Sequence, residues 1–142
     1  YELKIKGLLC EVYSLILCEH QKEFTKFIPS NQLELERLEQ MLNYLNTHFE
    51  SVVSLQELAN QVHLSREVCC RLFKKMTGKT VTGYLEEYRV NQSLSLVQSN
   101  QYSMIQIADM TGFSNASRFA HAFRKQFGCN PGEYNSLKRQ NV

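Results

Sequence analysis

Apolar residues recur at three- and four-residue steps along most of this chain, which is the spacing of one face of a helix. Residues 3–27 carry one such stripe, and residues 33–49 carry a second. A third runs from Tyr84 to Val97, about 15 residues or roughly 22 Å of helix. No stretch alternates apolar and polar residues as a half-buried strand does. The pattern therefore predicts an all-α protein.

The stripes also divide the chain into parts. Pro29, Ser30 and Asn31 interrupt the first two helices, so we expect residues 29–32 to form a linker and residues 33–142 to form the main domain. The leading stripe needs an apolar partner, and we expect residues 3–27 to pair with the same helix of a second chain. The residues expected in that homodimer contact are Leu8, Leu9, Val12 and Ile16. Because the chain starts within this pattern, we expect it to be part of a longer protein.

A short pattern occurs twice, from Ser54 to Gly78 and again from Ser103 to Gly128. Each copy predicts two short helices around a tight turn, and the second helix of each is rich in cations. This is the helix-turn-helix arrangement, which places its second helix in the major groove of DNA. The predicted capping boxes are Ser54 with Glu57 and Ser103 with Gln106. The second helices are expected to begin at Ser65 and at Ser114 or Asn115.

Each second helix has one apolar face and one free face. The apolar faces comprise Val68, Cys69, Leu72, Phe73 and Met76 in the first copy and Phe119, Phe123 and Phe127 in the second. The free faces comprise Glu67, Cys70, Arg71 and Lys74, and Ser117, Ala120, His121 and Arg124. Arg71 is the best candidate base reader, because a guanidinium can bond guanine O6 and N7 together. The cations expected on phosphates are Lys74, Lys75, Lys79, Arg118, Arg124 and Lys125.

The distribution of charge agrees with this interpretation. The whole chain has a net charge of only +2. Residues 1–53 hold five cations against eight acids, a net charge of −3, whereas residues 54–142 hold eleven against six, a net charge of +5. Such asymmetry is expected when only one part of a protein contacts phosphates. A protein-interaction module is the alternative, but it does not explain why cations gather on the same turns of both repeated helices.

Other chemistry has little support in the sequence. The five cysteines include no C-x-x-C pair and mostly occupy apolar helical positions, which favours a reducing cytoplasm. We interpret Cys69 as a buried hydrophobe rather than as half of a redox switch with Cys70. The four histidines lack metal-ligand spacing, so no metal or other cofactor is expected. The sequence also shows no catalytic motif, no membrane span and no secretory leader, so we expect neither an enzyme nor a membrane protein.

A resemblance to a known family follows from these motifs. The segment from Gly112 to Tyr134, G-F-S-N-A-S-R-F-A-H-A-F-R-K-Q-F-G-C-N-P-G-E-Y, resembles the signature of AraC/XylS-family bacterial transcription regulators. Residues 55–78 resemble that family's first helix-turn-helix, and residues 83–90 resemble its linker helix. The similarity covers roughly residues 38–139.

The resemblance implies two helix-turn-helix units, joined by a rigid helix over residues 83–99, that read adjacent major-groove segments on one face of DNA. The residues it places against bases are Glu67, Cys70, Arg71, Ala116, Ser117 and His121. Residues 1–28 resemble the last helix of the family's sensor region, which is often its dimerisation helix. The expected function is transcription regulation in the cytoplasm, with RNA polymerase as a partner. The resemblance favours an activator, whereas the residues themselves do not choose between activation and repression.

Overall fold

The computed structural model describes residues 32–140, with their side chains except those of 135 and 137–140. All regular structure in this range is helical, so the all-α prediction is confirmed. The helices are α1 (Gln32–Thr47), α2 (Leu55–Gln61), α3 (Arg66–Thr77), α4 (Val81–Ser99), α5 (Met104–Met110), α6 (Ala116–Phe127) and α7 (Pro131–Gln140). Of the predicted linker, residues 29–31 lie outside the described residues, and Gln32 is the first residue of α1. The predicted contact through Leu8, Leu9, Val12 and Ile16 lies outside the described residues.

Polar side chains determine where five of the helices begin. Each of these residues accepts a hydrogen bond from an amide in the first helical turn, which satisfies a donor that the helix itself leaves open. These N-caps are Ser54, Ser65, Thr80, Ser103 and Asn115. The capping box predicted at Ser103 is confirmed, because the Ser103 amide also donates to Oε1 of Gln106 at 2.9 Å.

The capping box predicted at Ser54 is wrong about Glu57: Ser54 caps the helix, but Glu57 does not complete the box. Oγ of Ser54 accepts from the amide of Gln56 at 3.2 Å. The carboxylate of Glu57 accepts instead from the hydroxyl of Tyr44 on α1, at 3.4 Å. Burial and the neighbouring Glu57 raise the pKa of the Tyr44 hydroxyl. A tertiary neighbour has therefore displaced the local capping contact.

The helix α4, called the linker helix below, is longer than the periodicity predicts. It contains 19 residues and begins at Val81, because Oγ1 of Thr80 accepts from the amide of Gly83 at 3.1 Å. Its last residue is Ser99, and the C-cap that follows is Asn100, whose φ of 55° lies in the left-handed region that asparagine tolerates. Its first half buries Val81 and Leu85, and its second half buries Val90 and Val97.

These two halves belong to different apolar cores. The first core combines α1, α2, α3 and the start of the linker helix. Its buried members are Met41, Leu45, Leu58, Ala59, Val62, Cys69, Leu72, Phe73, Val81 and Leu85. The second core combines the end of the linker helix with α5 and α6. Its buried members are Val90, Val97, Ile107, Ala108, Phe119, Ala122 and Phe123. One helix therefore carries both helix-turn-helix units.

The last helix, α7, begins at Pro131, shortly after Gly128 ends α6. Proline suits the first turn of a helix, where its missing amide hydrogen would have no partner in any case. Tyr134 then packs edge-on against Phe123, with 5.5 Å between the ring centroids, and lies equally close to Phe127. The last helix therefore adds Tyr134 to the second core.

The capping box at Ser103 should stabilise the protein measurably. Because α5 has only seven residues, it depends on its cap and on packing rather than on its own propensity. We expect Ser103→Ala to lower the free energy of unfolding by about 0.5–2 kcal/mol in urea titrations followed by circular dichroism. Ser95→Ala, at an exposed position inside the linker helix, is the control and should change it by less than about 0.5 kcal/mol. Equal losses in both variants would contradict the capping role.

Candidate nucleic-acid interface

The helix α3 is held by its apolar face. Cys69 and Phe73 have no exposed surface, and Phe73 packs edge-on against Tyr84 of the linker helix with 5.6 Å between ring centroids. Sγ of Cys69 lies 3.4 Å from Sδ of Met41 on α1. Burial, and secondarily Cys70, raises the pKa of the Cys69 thiol, which keeps it protonated. Cys69 is therefore a buried hydrophobe, as predicted.

The opposite face of α3 is open to solvent. Glu67, Arg71 and Lys74 are exposed there, whereas Cys70 is half-buried. The free face predicted from the sequence is thus present, with its charged members outermost.

The helix α6 has the same arrangement, with a more aromatic buried face. Phe119 and Phe123 are fully buried, with 5.8 Å between their ring centroids, and Phe127 follows at 4.8 Å from Phe123. Oδ1 of Asn115 fixes the start of the helix by accepting from the amide of Arg118 at 2.8 Å. The exposed residues on the other side are Ser117, Arg118, His121, Arg124 and Lys125. Ala116 and Ala120 are half-buried between the two sides.

The two helices correspond position by position. Both have 12 residues, both follow a polar cap, and both end at a glycine in the left-handed region. Arg71 therefore corresponds to His121. The further pairs are Glu67 with Ser117, Lys74 with Arg124, and Lys75 with Lys125. The cations of the last turns also interact favourably with the negative end of each helix dipole, so they stabilise the helices as well as offering contacts to phosphate. Arg71 and His121, in the middle of the helices, have no such second role.

The correspondence adds one residue that the sequence analysis missed. Arg66 is exposed and is the first residue of α3, at the position that Ala116 occupies in α6. The signal was available in the sequence, because the two repeats match from their N-caps onward. The sequence leaves Ser114 and Asn115 both open as the cap of the second copy, and only the choice of Asn115 pairs Arg66 with Ala116.

Two of the cations expected on phosphates lie beside carboxylates of the linker helix. Nζ of Lys79 donates a hydrogen bond to Oε2 of Glu87, which makes the two an ion pair. Nζ of Lys125 lies 3.8 Å from Oε1 of Glu86. All four side chains are substantially exposed, and exposed pairs of this kind contribute only about 0–1 kcal/mol. Either lysine can therefore exchange its carboxylate for a phosphate at little cost.

Within the described part of the chain, no group of three His, Cys, Asp or Glu side chains is placed to hold a metal ion. No helix in that part combines the length and the apolar character needed to cross a membrane. What the described residues do present is a pair of matching, cation-bearing helical faces.

Comparison with known proteins agrees with this geometry. Residues 58–136 match the family described as a helix-turn-helix domain. The uncharacterized helix-turn-helix-type transcriptional regulator YdeC of Bacillus subtilis is 30% identical over 138 residues, which cover 96% of this chain and 46% of that protein. The transcriptional activator RhaR of Mannheimia succiniciproducens is 27% identical over 122 residues, 86% of this chain and 43% of that protein. The chain spans less than half the length of either relative.

Solved structures share the fold. The DNA-binding domain of the global transcriptional factor AdpA, crystallised with a target DNA, superposes with a TM-score of 0.67 and 26% identity over 73% of this chain and 94% of that one. An AraC-type regulator from Chromobacterium violaceum gives a TM-score of 0.67 and 28% identity over 76% of this chain and 96% of that one. The chain therefore belongs to the AraC family of helix-turn-helix, DNA-binding transcription regulators.

Proposed function

We propose that this chain reads a double-stranded operator by inserting α3 and α6 into two successive major grooves. The observation that carries the proposal is the positional match of the two recognition helices, α3 and α6. Both are capped, both stand on a buried apolar face, and both expose cations on the other side. A single chain then presents two recognition helices in head-to-tail order, so its DNA site need not be a palindrome.

The dimensions of the linker helix suit this use. Its 19 residues span about 28 Å, which is of the same order as the roughly 34 Å between successive major grooves on one face of B-DNA. Because each end of that helix is buried in one of the two cores, the units cannot swing freely on a loop. Such rigidity lowers the entropy lost when both helices bind together.

We assign base contacts to the early and middle turns of the recognition helices. The assigned residues are Glu67, Cys70, Arg71, Ala116, Ser117 and His121, joined by Arg66. Arg71 offers the fork that matches guanine, and Glu67 can accept from cytosine N4. Phosphate contacts fall to Lys74, Lys75, Lys79, Arg118, Arg124 and Lys125, of which Lys79 and Lys125 first leave Glu87 and Glu86. The release of those carboxylates would reduce the net gain from each lysine.

We further propose that the bound chain acts on transcription in the bacterial cytoplasm through RNA polymerase. The relative RhaR is named an activator, and activation is the sense we propose here. The leading residues 3–27 would supply a dimer contact through Leu8, Leu9, Val12 and Ile16. Two chains could then bind neighbouring sites with raised effective concentration.

Footprinting tests the two-groove mode. A duplex selected from a random pool against the chain should show two protected segments on one face, about 10 bp apart and without inverted symmetry. Binding should weaken steeply as salt rises, because phosphate contacts release counterions. A single protected segment, or a strict requirement for an inverted repeat by one chain, would contradict the proposal.

Two substitutions in α3 should separate base reading from phosphate contact. Arg71→Ala should cost about 1–3 kcal/mol on the selected duplex and relax the preference at one base position. Lys75→Ala, one turn later on the same helix, should weaken selected and random duplexes nearly equally and reduce the salt slope by about one. Equilibrium titrations on both duplexes at several salt concentrations measure the two effects. Equal losses on both duplexes for Arg71→Ala would reassign Arg71 to the phosphates.

The dimer contact can be tested by sedimentation. Exposed Leu or Ile side chains cost roughly 1.5–3 kcal/mol each when they lose their apolar partner, so the leading stripe should associate with itself. Sedimentation should show a concentration-dependent dimer, and Leu9→Glu with Val12→Glu should give monomers that still bind one site. A monomer at high micromolar concentration in the unsubstituted chain would exclude this contact.

A further inference from the structure

A backbone turn ahead of the first helix-turn-helix unit touches the second unit directly. This turn comprises residues 49–51, which follow α1. Arg89 of the linker helix holds the turn by two hydrogen bonds: Nε donates to the carbonyl of Phe49 and Nη2 donates to the carbonyl of Ser51, both at 2.7 Å. A guanidinium can make both bonds at once because its donors lie in one rigid plane.

Gly112 brings the second unit against the same turn. It lies between α5 and α6 with a φ of 77°, in the region that favours glycine. A Cβ at this position would lie 2.3 Å from the carbonyl oxygen of Phe49 and 2.9 Å from the carbonyl carbon and oxygen of Glu50. The two backbones therefore approach so closely that no side chain fits between them.

The contact is anchored in both cores. Phe49 packs on the first core and lies edge-on to Tyr88, with 5.4 Å between ring centroids. Phe113, which follows Gly112, packs on the second core with 5.5 Å between its ring centroid and that of Phe119. The guanidinium carbon of Arg89 lies 6.0 Å from the ring centroid of Phe113. We call the contact of Arg89 and Gly112 with residues 49–51, together with the contact of Arg89 with the Phe113 ring, the seam. Partial burial lowers the pKa of Arg89, although arginine stays charged at neutral pH.

The seam lies directly before the second recognition helix, because only Ser114 and the cap Asn115 separate Phe113 from α6. It borders an open groove of about 850 Å³ whose lining also includes Ser117, Arg118 and His121. A shift of the seam would therefore move the first turns of α6. A linker helix by itself would join the two units along its own axis. The seam is a second contact, displaced from that axis, so it resists rotation of one unit relative to the other.

We propose that the seam sets the spacing and rotation between the two recognition helices, and that Arg89 is a positioning residue for DNA reading in two grooves. This inference rests on the two-groove function proposed above. Because Arg89 bonds carbonyls of the turn that Gly112 also meets, its effect on DNA is assigned to the position of α6 rather than to a DNA contact of its own. The seam thus makes the chain selective for the distance between its two groove segments.

Duplexes of altered spacing test the inference. Three probes derived from the selected duplex suffice: the original, a version with one base pair inserted between the two protected segments, and a version with only the segment read by α3. The unsubstituted chain should bind the inserted version at least about tenfold more weakly than the original. Arg89→Met keeps an apolar stem and loses the fork. It should bind the original about tenfold more weakly, lose most of its preference over the inserted version, and bind the one-segment probe within about twofold of the unsubstituted chain.

Matched variants separate positioning from charge and from folding. Arg89→Lys keeps the charge without the fork and should resemble Arg89→Met. Gly112→Ala should give the same loss of spacing preference. Gly128→Ala is its control, since Gly128 has a φ of 76° and so carries the same backbone strain, but an added Cβ would meet no described atom within 4 Å. Circular dichroism melting checks that each variant is folded at the assay temperature.

The outcomes separate this inference from the function on which it rests. If the unsubstituted chain shows neither two protected segments nor a spacing preference, the two-groove function fails and the seam inference fails with it. If the unsubstituted chain prefers the original spacing and Arg89→Met keeps that preference, only the seam inference fails. Equal weakening of Arg89→Met on all three probes, or unsubstituted behaviour of Arg89→Lys, would assign Arg89 to charge rather than to positioning and would overturn the inference.

Discussion

The burial of opposite ends of one helix in two separate cores is the constraint on which this domain depends. Val81 and Leu85 belong to the first core, and Val90 and Val97 belong to the second. The helices α2 and α5 have only seven residues each, which is too short to be stable alone in water. Each of them persists because it packs within a core that the linker helix completes. Without that helix each core would lose part of its buried apolar surface.

Apolar packing uses only one side of each recognition helix and leaves the other side open to solvent. The inner side of α6 is held by Phe119 and Phe123, and α7 adds Tyr134 to the same cluster. Because packing on that side is sufficient to hold the helix, the outer side carries polar and charged residues without loss of stability. The same separation holds in α3, where buried Phe73 and exposed Arg71 lie two positions apart.

Two salt bridges with the linker helix reduce the positive charge that the candidate interface presents. The linker helix places Glu86 and Glu87 beside Lys125 and Lys79, so part of the positive charge is balanced before any DNA arrives. Such exposed pairs are weak and are screened by salt, whereas a duplex presents closely spaced phosphates along its whole length. The carboxylates therefore offset part of the attraction of these two lysines for any phosphate, at a small cost each. This balance fits a chain whose net charge is only +2.

The sequence by itself determined the helical class, the two repeats, the confirmed caps at Ser65 and Ser103, and which face of each recognition helix is buried. These features depend on residues close together in the chain, so periodicity and capping chemistry reveal them. Only the tertiary structure decided that Glu57 accepts from Tyr44, that α7 closes the second core, and that Arg89 and Gly112 meet residues 49–51. Those contacts join residues far apart in sequence, and no local pattern specifies which distant donor or backbone atom will lie nearby.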